Sequence, residues 1–353
     1  MYRWRLMHRQ DKGLFRGTAV LLGALAFSLG LGVLLLALQG KSPVNGMQVV
    51  FSGAFGSSYA FEDALVKAIP LYLCSLGVAM AFRLQIWNIG AEGQFALGAI
   101  GATWAALSFP ALPWFVLLPF MALAAAVFGS VWGIIPAVLK VRMGVNEIIV
   151  TLMMNYIGVL ILEYLVFGPW KDSASFGFPM TPMFSDAAIV GSIPGTAISW
   201  GLVLCVVVGL IMGIFFRFTR LGFELKIAGS NPRAAAYGRI SYGTLVLLVM
   251  GVSGAFAGWA GFLETSSNLN RLQTSVMSGY GYTAIVVAWL ARLSPLRIAV
   301  ASYLLAALMV GVENLQLEMR VPAAFGDIME GLILLSVLAG GFFLNYRFKR
   351  IDK

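Results

Sequence analysis

Ten uninterrupted apolar stretches dominate the sequence, near residues 18–38, 64–82, 93–108, 114–139, 147–167, 198–216, 243–262, 278–291, 298–315 and 327–344. Most approach the roughly 20 residues that a helix needs to cross a bilayer. The runs are continuous rather than alternating in polarity, which excludes a β-barrel, whose strands alternate lipid-facing and lumen-facing residues. With 353 residues that are 60% hydrophobic and 11% charged, the chain has no length left for a soluble catalytic domain. The expected fold class is all-α: a polytopic transmembrane helical bundle of about 10 spans, in a range of about 9–11. The third and eighth stretches are short and rich in glycine or polar residues. They are expected as broken or re-entrant segments, because irregular backbone at membrane depth must lie against protein or line a cavity.

Basic residues set the orientation. Of the 24 Lys and Arg, all but Lys41, Lys67, Lys171, Arg271 and Arg320 fall in 1–17, 83–92, 140–146, 217–242, 292–297 and 345–353. Cytoplasmic loops are the ones enriched in Lys and Arg, so both the N and C termini are expected in the cytoplasm. The organisation that follows is a cytoplasmic basic leader, 1–17, a single transmembrane domain, 18–344, and a cytoplasmic tail, 345–353. The run at 18–38 is longer than a signal-peptide core and lacks a small-x-small cleavage site, so it reads as a retained first helix. The net charge of +9 is accounted for by this topology. It is spread over six short loops instead of forming one patch, and no nucleic acid is expected as a partner.

Chemistry is sparse. The single histidine, His8, sits among arginines, and the two cysteines, Cys74 and Cys205, lie far apart in apolar runs. That leaves no His-based metal centre, catalytic triad or disulfide framework. The nearest approach to a nucleotide-binding loop, Gly40-Lys41-Ser42, has Leu35 where the motif requires glycine. No cofactor and no enzymatic activity are expected.

Ionisable groups inside a membrane are costly, so Lys67, Glu92, Glu147, Glu163, Asp327 and Glu330 each call for a reason. In Asn-Ile-Gly-Ala-Glu-Gly-Gln, residues Asn88, Glu92 and Gln94 bracket two glycines that permit close backbone approach. Together with Asn146 and Asn155 they form a candidate translocation pathway, whose amides and carboxylate suit sugar hydroxyls or a base edge. The competing reading is an N-cap and turn that break the third helix. Glu147 and Asn155 fall about 80° apart on a helix, on adjoining faces that suit pairing between helices. Trp87, Trp104, Tyr156, Tyr280, Tyr282 and Trp289 either stack on a solute or serve as interface belt and core. The pairs Gly129/Gly133, Gly209/Gly213 and Gly254/Gly258 have the spacing of close helix contacts, within the subunit or with a second one.

Two loops are long. The outer one, 168–197, carries Pro169, Pro179, Pro182 and Pro194 and is either an ordered cap or a flexible connector. In the inner one, 217–242, Asn231 is an N-cap and Pro232 suits the first helical position. Arg233 to Tyr237 favours helix, and Gly238 ends it. A helix of under two turns is unstable alone and must be held by packing. With Ala234, Ala235 and Ala236 beside Tyr237, it is either a rigid peg for a motor subunit or an ordinary capped turn.

Four stretches carry a resemblance: Asn88–Ala99 (NIGAEGQFALGA), Gly144–Ile157 (GVNEIIVTLMMNYI), Ala228–Ile240 (AGSNPRAAAYGRI) and Gly279–Pro295 (GYGYTAIVVAWLARLSP). Together they resemble the permease subunits of bacterial ATP-binding-cassette importers, in the group serving branched-chain amino acids, ribose and nucleosides. The first two look most like nucleoside or simple-sugar permeases. The fourth departs from the family's GFDGIAVALLG pattern at Tyr282, Thr283, Trp289 and Ala291. The resemblance implies that Gly229, Asn231, Arg233, Ala235 and Tyr237 belong to a coupling helix seated in a cytoplasmic ABC ATPase subunit. It further implies a second permease subunit, homologous or identical, and an external solute-binding protein of the lipoprotein type, all at the inner membrane. The implied function is import of a small polar solute by alternating access. The rival is a stand-alone ion-coupled carrier using Glu92, Glu147 or Asp327.

Overall fold

The computed structural model describes residues 3–8 and 14–351; the rest of the leader and tail, and the side chains of Asp327 and Glu330, lie outside the described part. Its helices are α1 (Leu14–Leu38), α2 (Pro43–Phe55), α3 (Ser58–Arg83), α4 (Ala91–Ser108), α5 (Trp114–Met143), α6 (Glu147–Phe167), α7 (Gly201–Phe218), α8 (Arg220–Ser230), α9 (Pro232–Tyr237), α10 (Tyr242–Leu263), α11 (Tyr280–Leu290), α12 (Pro295–Met319) and α13 (Ala323–Asn345). Every one of the ten apolar stretches is helical. Among the described residues, six helices are long and apolar enough to cross a membrane: α3, α5, α6, α7, α10 with its extension, and α12. The 11 residues of α11 rise about 16 Å, half the roughly 30 Å of a hydrocarbon core. It is the short segment anticipated at 278–291.

Contacts divide the chain into two compact units, 1–64 with 307–353, and 65–306. In the first, α1 runs beside α13, and Leu36, Val50, Val312, Leu315, Val321, Phe325 and Met329 form its apolar core. Here α2 lies between the first two apolar stretches, outside both. Its start is nonetheless written in the sequence, since Ser42 caps Asn45 N–H and Pro43 takes the first helical position. The unit is all-α apart from one short ribbon. Strand β1 (Arg3–His8) pairs antiparallel with β2 (Tyr346–Ile351), Arg3 opposite Ile351 and His8 opposite Tyr346. Partial alternation of basic with aromatic or aliphatic residues in both segments suits a strand period.

In the second unit α3 and α10 are central and largely buried, whereas α7 is peripheral and mostly exposed. Small residues bring α10 onto α4 and α5. A methyl at Gly254 would collide with the Gly129 carbonyl, and one at Gly98 with Gly258 Cα. Two of the three glycine pairs are thus contacts within the subunit. Of the third, Gly209 lies against the Tyr72 hydroxyl of α3 and Gly213 faces open space.

Beyond Leu263, α10 continues as a π-helical segment, Glu264–Leu269. The outer loop is an ordered cap on it: Val190 N–H donates to Ser266 O, Phe184 N–H to Asn270 O and Thr181 N–H to Leu272 O. The chain then returns through a 3-10 turn at Thr274–Val276 to the start of α11.

Candidate functional site

Between α3 and α4 the chain leaves helix from Leu84 to Gly90, and this break organises the polar residues of the membrane domain. Asn88 folds the turn, its Oδ1 accepting from Gly90 N–H and its Nδ2 donating to Gln94 Oε1 at 3.0 Å and to Ser253 Oγ at 2.8 Å. Gln94 returns a bond through Nε2 to Asn88 Oδ1. The N-cap of α4 is Gly90, which has no side chain to satisfy the orphan N–H groups of the first turn. A residue from another helix does so. Asn155 of α6 accepts from Gly93 N–H at 2.9 Å and donates to Ile89 O at 2.8 Å. Its amide also reaches the Tyr282 hydroxyl at 3.3 Å.

The same arrangement recurs at α11. Its N-cap, Gly279, sits at φ +76°, a left-handed conformation that favours glycine, and offers no side chain. Here the carboxylate of Glu92, in the first turn of α4, accepts from Gly279 N–H at 3.2 Å and Gly281 N–H at 2.7 Å. A carboxylate is favoured at a helix N-terminus both as acceptor and by the helix dipole. Gly281 lets the two helix starts approach, since a methyl there would collide with Glu92 N.

The structure therefore brings together Asn88, Glu92, Gln94 and Asn155, all at 3% exposure or less. It leaves Asn146 apart, as the exposed N-cap of α6 bonding Ile148 N–H. Beside it, Glu147 pairs with Lys140 and accepts from Trp87 N–H. Glu147 and Asn155 thus each pair between elements, as their angular separation suggested.

Three participants were not singled out from the sequence as bonding partners: Ser253 and the amides of Gly279 and Gly281. A glycine-flanked helix start without its own cap is the one signal that pointed to missing acceptors. Glu264, buried in the π-helical segment and bonded by Asn268, was also missed. Of the six aromatics, Trp87 and Trp289 pack together at 5.5 Å beside Phe82. Trp104 packs on Phe109, Phe120 and Phe128, Tyr280 lies 6.0 Å from Phe95, and Tyr156 is exposed.

The inner loop contains two helices where one was expected. α8 precedes α9, and Asn231 caps the latter through Oδ1, accepting from Arg233 N–H and Ala234 N–H. Gly238 closes it, its N–H donating to Ala234 O. Arg233 is exposed and Tyr237 is 92% exposed, whereas Ala235 is buried and faces inward. Gly229 lies against the Arg83 carbonyl so closely that a methyl would collide with it. The loop is thereby seated on the C-terminus of α3, one residue before the break.

Residues 60–338 match the family described as branched-chain amino acid transport system / permease component. The chain is 36% identical to a glucose ABC transporter permease protein of Haloferax volcanii, over 94% of this chain and 89% of that protein. It is 30% identical to a guanosine ABC transporter permease protein of Bacillus subtilis, over 94% and 95%. It is also 30% identical to a nucleoside ABC transporter permease protein of Lactococcus lactis, over 85% of each. No solved structure matches.

Proposed function

The chain belongs to the permease-component family of branched-chain amino acid transport systems, and on that premise we propose how this multi-pass permease of an ATP-binding-cassette importer works. A nucleoside or simple sugar is released by an external lipoprotein and crosses by alternating access, driven by a cytoplasmic ATPase that grips the α8–α9 loop. A second permease subunit completes the channel. The relatives named for glucose, guanosine and nucleoside transport support the solute class.

The observation that carries the mechanism is the pairing of an exposed, doubly capped peg at α9 with a tight seat at Gly229 on the end of α3. A rigid peg transmits displacement, and a seat without a compressible side chain passes it on. Both termini on one side of the membrane, with an even number of crossings, is a reading supported by the β1–β2 pairing, which lays the two ends side by side; the basic residues of the leader and tail favour the cytoplasmic side.

Asn88, Glu92, Gln94 and Asn155 bear on the pathway by shaping it. Their amides and carboxylate hold the starts of α4 and α11, so the half-length α11 is positioned from its N-terminus by a group on another helix. An ion-coupled carrier working alone is less well supported, since the carboxylates of Glu92 and Glu147 serve as a helix cap and an ion-pair partner.

The test is reconstitution in proteoliposomes with the ATPase, partner permease and binding protein, followed by uptake of radiolabelled glucose and guanosine. ATP-dependent accumulation that is lost in Tyr237→Ala, with insertion intact, is expected. Accumulation by the isolated chain under an ion gradient, without nucleotide, would overturn the reading.

A further inference from the structure

We propose that Arg83 is the positioning residue that carries displacement of the cytoplasmic loop to α11. The proposal rests on the coupling role of that loop proposed above.

Arg83 is the last residue of α3, and three contacts meet on it. Its carbonyl is the surface against which Gly229 of α8 is seated. Its guanidinium lies over the Phe216 ring of α7, 3.5 Å from the centroid. Its Nη2 donates to Leu293 O, at the turn between α11 and α12, at 2.7 Å. Directly after it begins the non-helical stretch that leads to Asn88 and Glu92.

One end of that chain of contacts is unusual. Arg292 and Leu293 adopt φ of 49° and 57°, two successive left-handed residues of which neither is glycine. Such backbone persists only where its surroundings over-determine it, and it tends to occur where a segment has two arrangements. The bond from Arg83 falls on the carbonyl of the second of these residues, so Arg83 is among the groups that hold the turn.

The other end of α11 is held by Glu92, and its last turn by Trp289 against Trp87 and Phe82. The half-length helix is therefore fastened at both ends to the segment running from the end of α3 to the start of α4. That segment is what α8 rests on. A push on α8 reaches α11 through Arg83 along a connected series of packed and hydrogen-bonded contacts, one of the kinds of network that carry coupling between distant sites.

Arg83 also has spare bonding capacity. Its Nε is sealed from solvent and finds no acceptor among the described residues. A guanidinium whose sealed Nε leaves a donor unmet in one arrangement gains a bond if another arrangement supplies a carbonyl, which gives the joint a second state to move to. Arginine suits this place better than lysine because its planar face stacks on Phe216 while its edge donates.

The experiment uses the full permease assembled with its ATPase and partner subunit in nanodiscs, with and without a non-hydrolysable ATP analogue. Amide hydrogen exchange is read in two windows, 220–240 and 280–293. In the wild type the analogue changes both. In Arg83→Gln the change in 220–240 persists, and that in 280–293 shrinks by about tenfold, as expected for loss of one charge-assisted hydrogen bond. Arg83→Lys falls between. A purely packing role would lower assembly and shift exchange in both windows with and without nucleotide, leaving the nucleotide-dependent difference in 280–293 in place.

If Arg83→Gln does not assemble, Phe216→Leu, which removes the stacking face and keeps the charge, is read the same way, with a partial loss of the 280–293 response expected. An unchanged response in 280–293 in the assembled variant overturns the proposal while leaving the coupling loop standing. No response of 220–240 in the wild type instead overturns the loop assignment, and the proposal with it.

Discussion

Replacing Glu92 with glutamine changes the charge and one acceptor of the group that caps α11, and almost nothing else. In the native chain both carboxylate oxygens are used, Oε1 by Gly279 N–H and Oε2 by Gly281 N–H. Glutamine keeps the shape and one acceptor, but its Nε2 faces the second N–H with a donor. A buried N–H left without an acceptor costs about 1–3 kcal/mol, and loss of a favourable charge at the helix start adds a few tenths to about 1 kcal/mol. Taking about 2 kcal/mol, the first turn of α11 opens roughly 30-fold more often. Amide exchange of residues 279–290 in the purified complex measures this directly, with 242–263 of α10 as the internal reference. Exchange in 279–290 accelerated by about that factor, with α10 unchanged, is the expected result. Identical exchange in the two proteins would refute the view that Glu92 is the cap.

Asn231→Ala removes the acceptor for both Arg233 and Ala234 N–H, so α9 loses about 1 kcal/mol and ATP-driven uptake falls while membrane insertion holds; parallel uptake and insertion assays check this. Because Ala235 is buried, Ala235→Glu disrupts the seat of the loop itself. Ala236→Glu, on the exposed side, blocks only docking, so a pull-down with the ATPase separates a folded, unbound permease from a misfolded one. Gly254→Val forces the α5–α10 crossing apart against the Gly129 carbonyl. Overpacking of this kind costs about 1–3 kcal/mol or more, to be seen as a lowered melting temperature in detergent. Asn155→Leu strands Gly93 N–H and Ile89 O and is expected to destabilise more than Asn146→Ala, whose site is exposed; the two melting temperatures decide.

What could be read from the sequence, and what could not, divides by the distance over which hydrogen-bonding debts are settled. The cap of α9 comes from Asn231, two and three residues from the groups it serves, so its start and its stop at Gly238 were legible, as were the ten apolar helices whose signal is their own composition. The caps of α4 and α11 come from 62 and 189 residues away, and Arg83 finds Leu293 at a separation of 210. No local pattern records such a partner; it records only the glycine that leaves the place empty. Asn88, Glu92, Gln94 and Asn155 were picked out because polar groups at membrane depth need a reason. The reason the structure supplies is one helix start completing another. It follows that in this permease a helix beginning on glycine, with no side chain of its own to cap it, marks a joint between elements. The two joints of that kind, at Gly90 and Gly279, meet at Glu92, which stands in the first turn of α4 and accepts from the N–H groups that start α11.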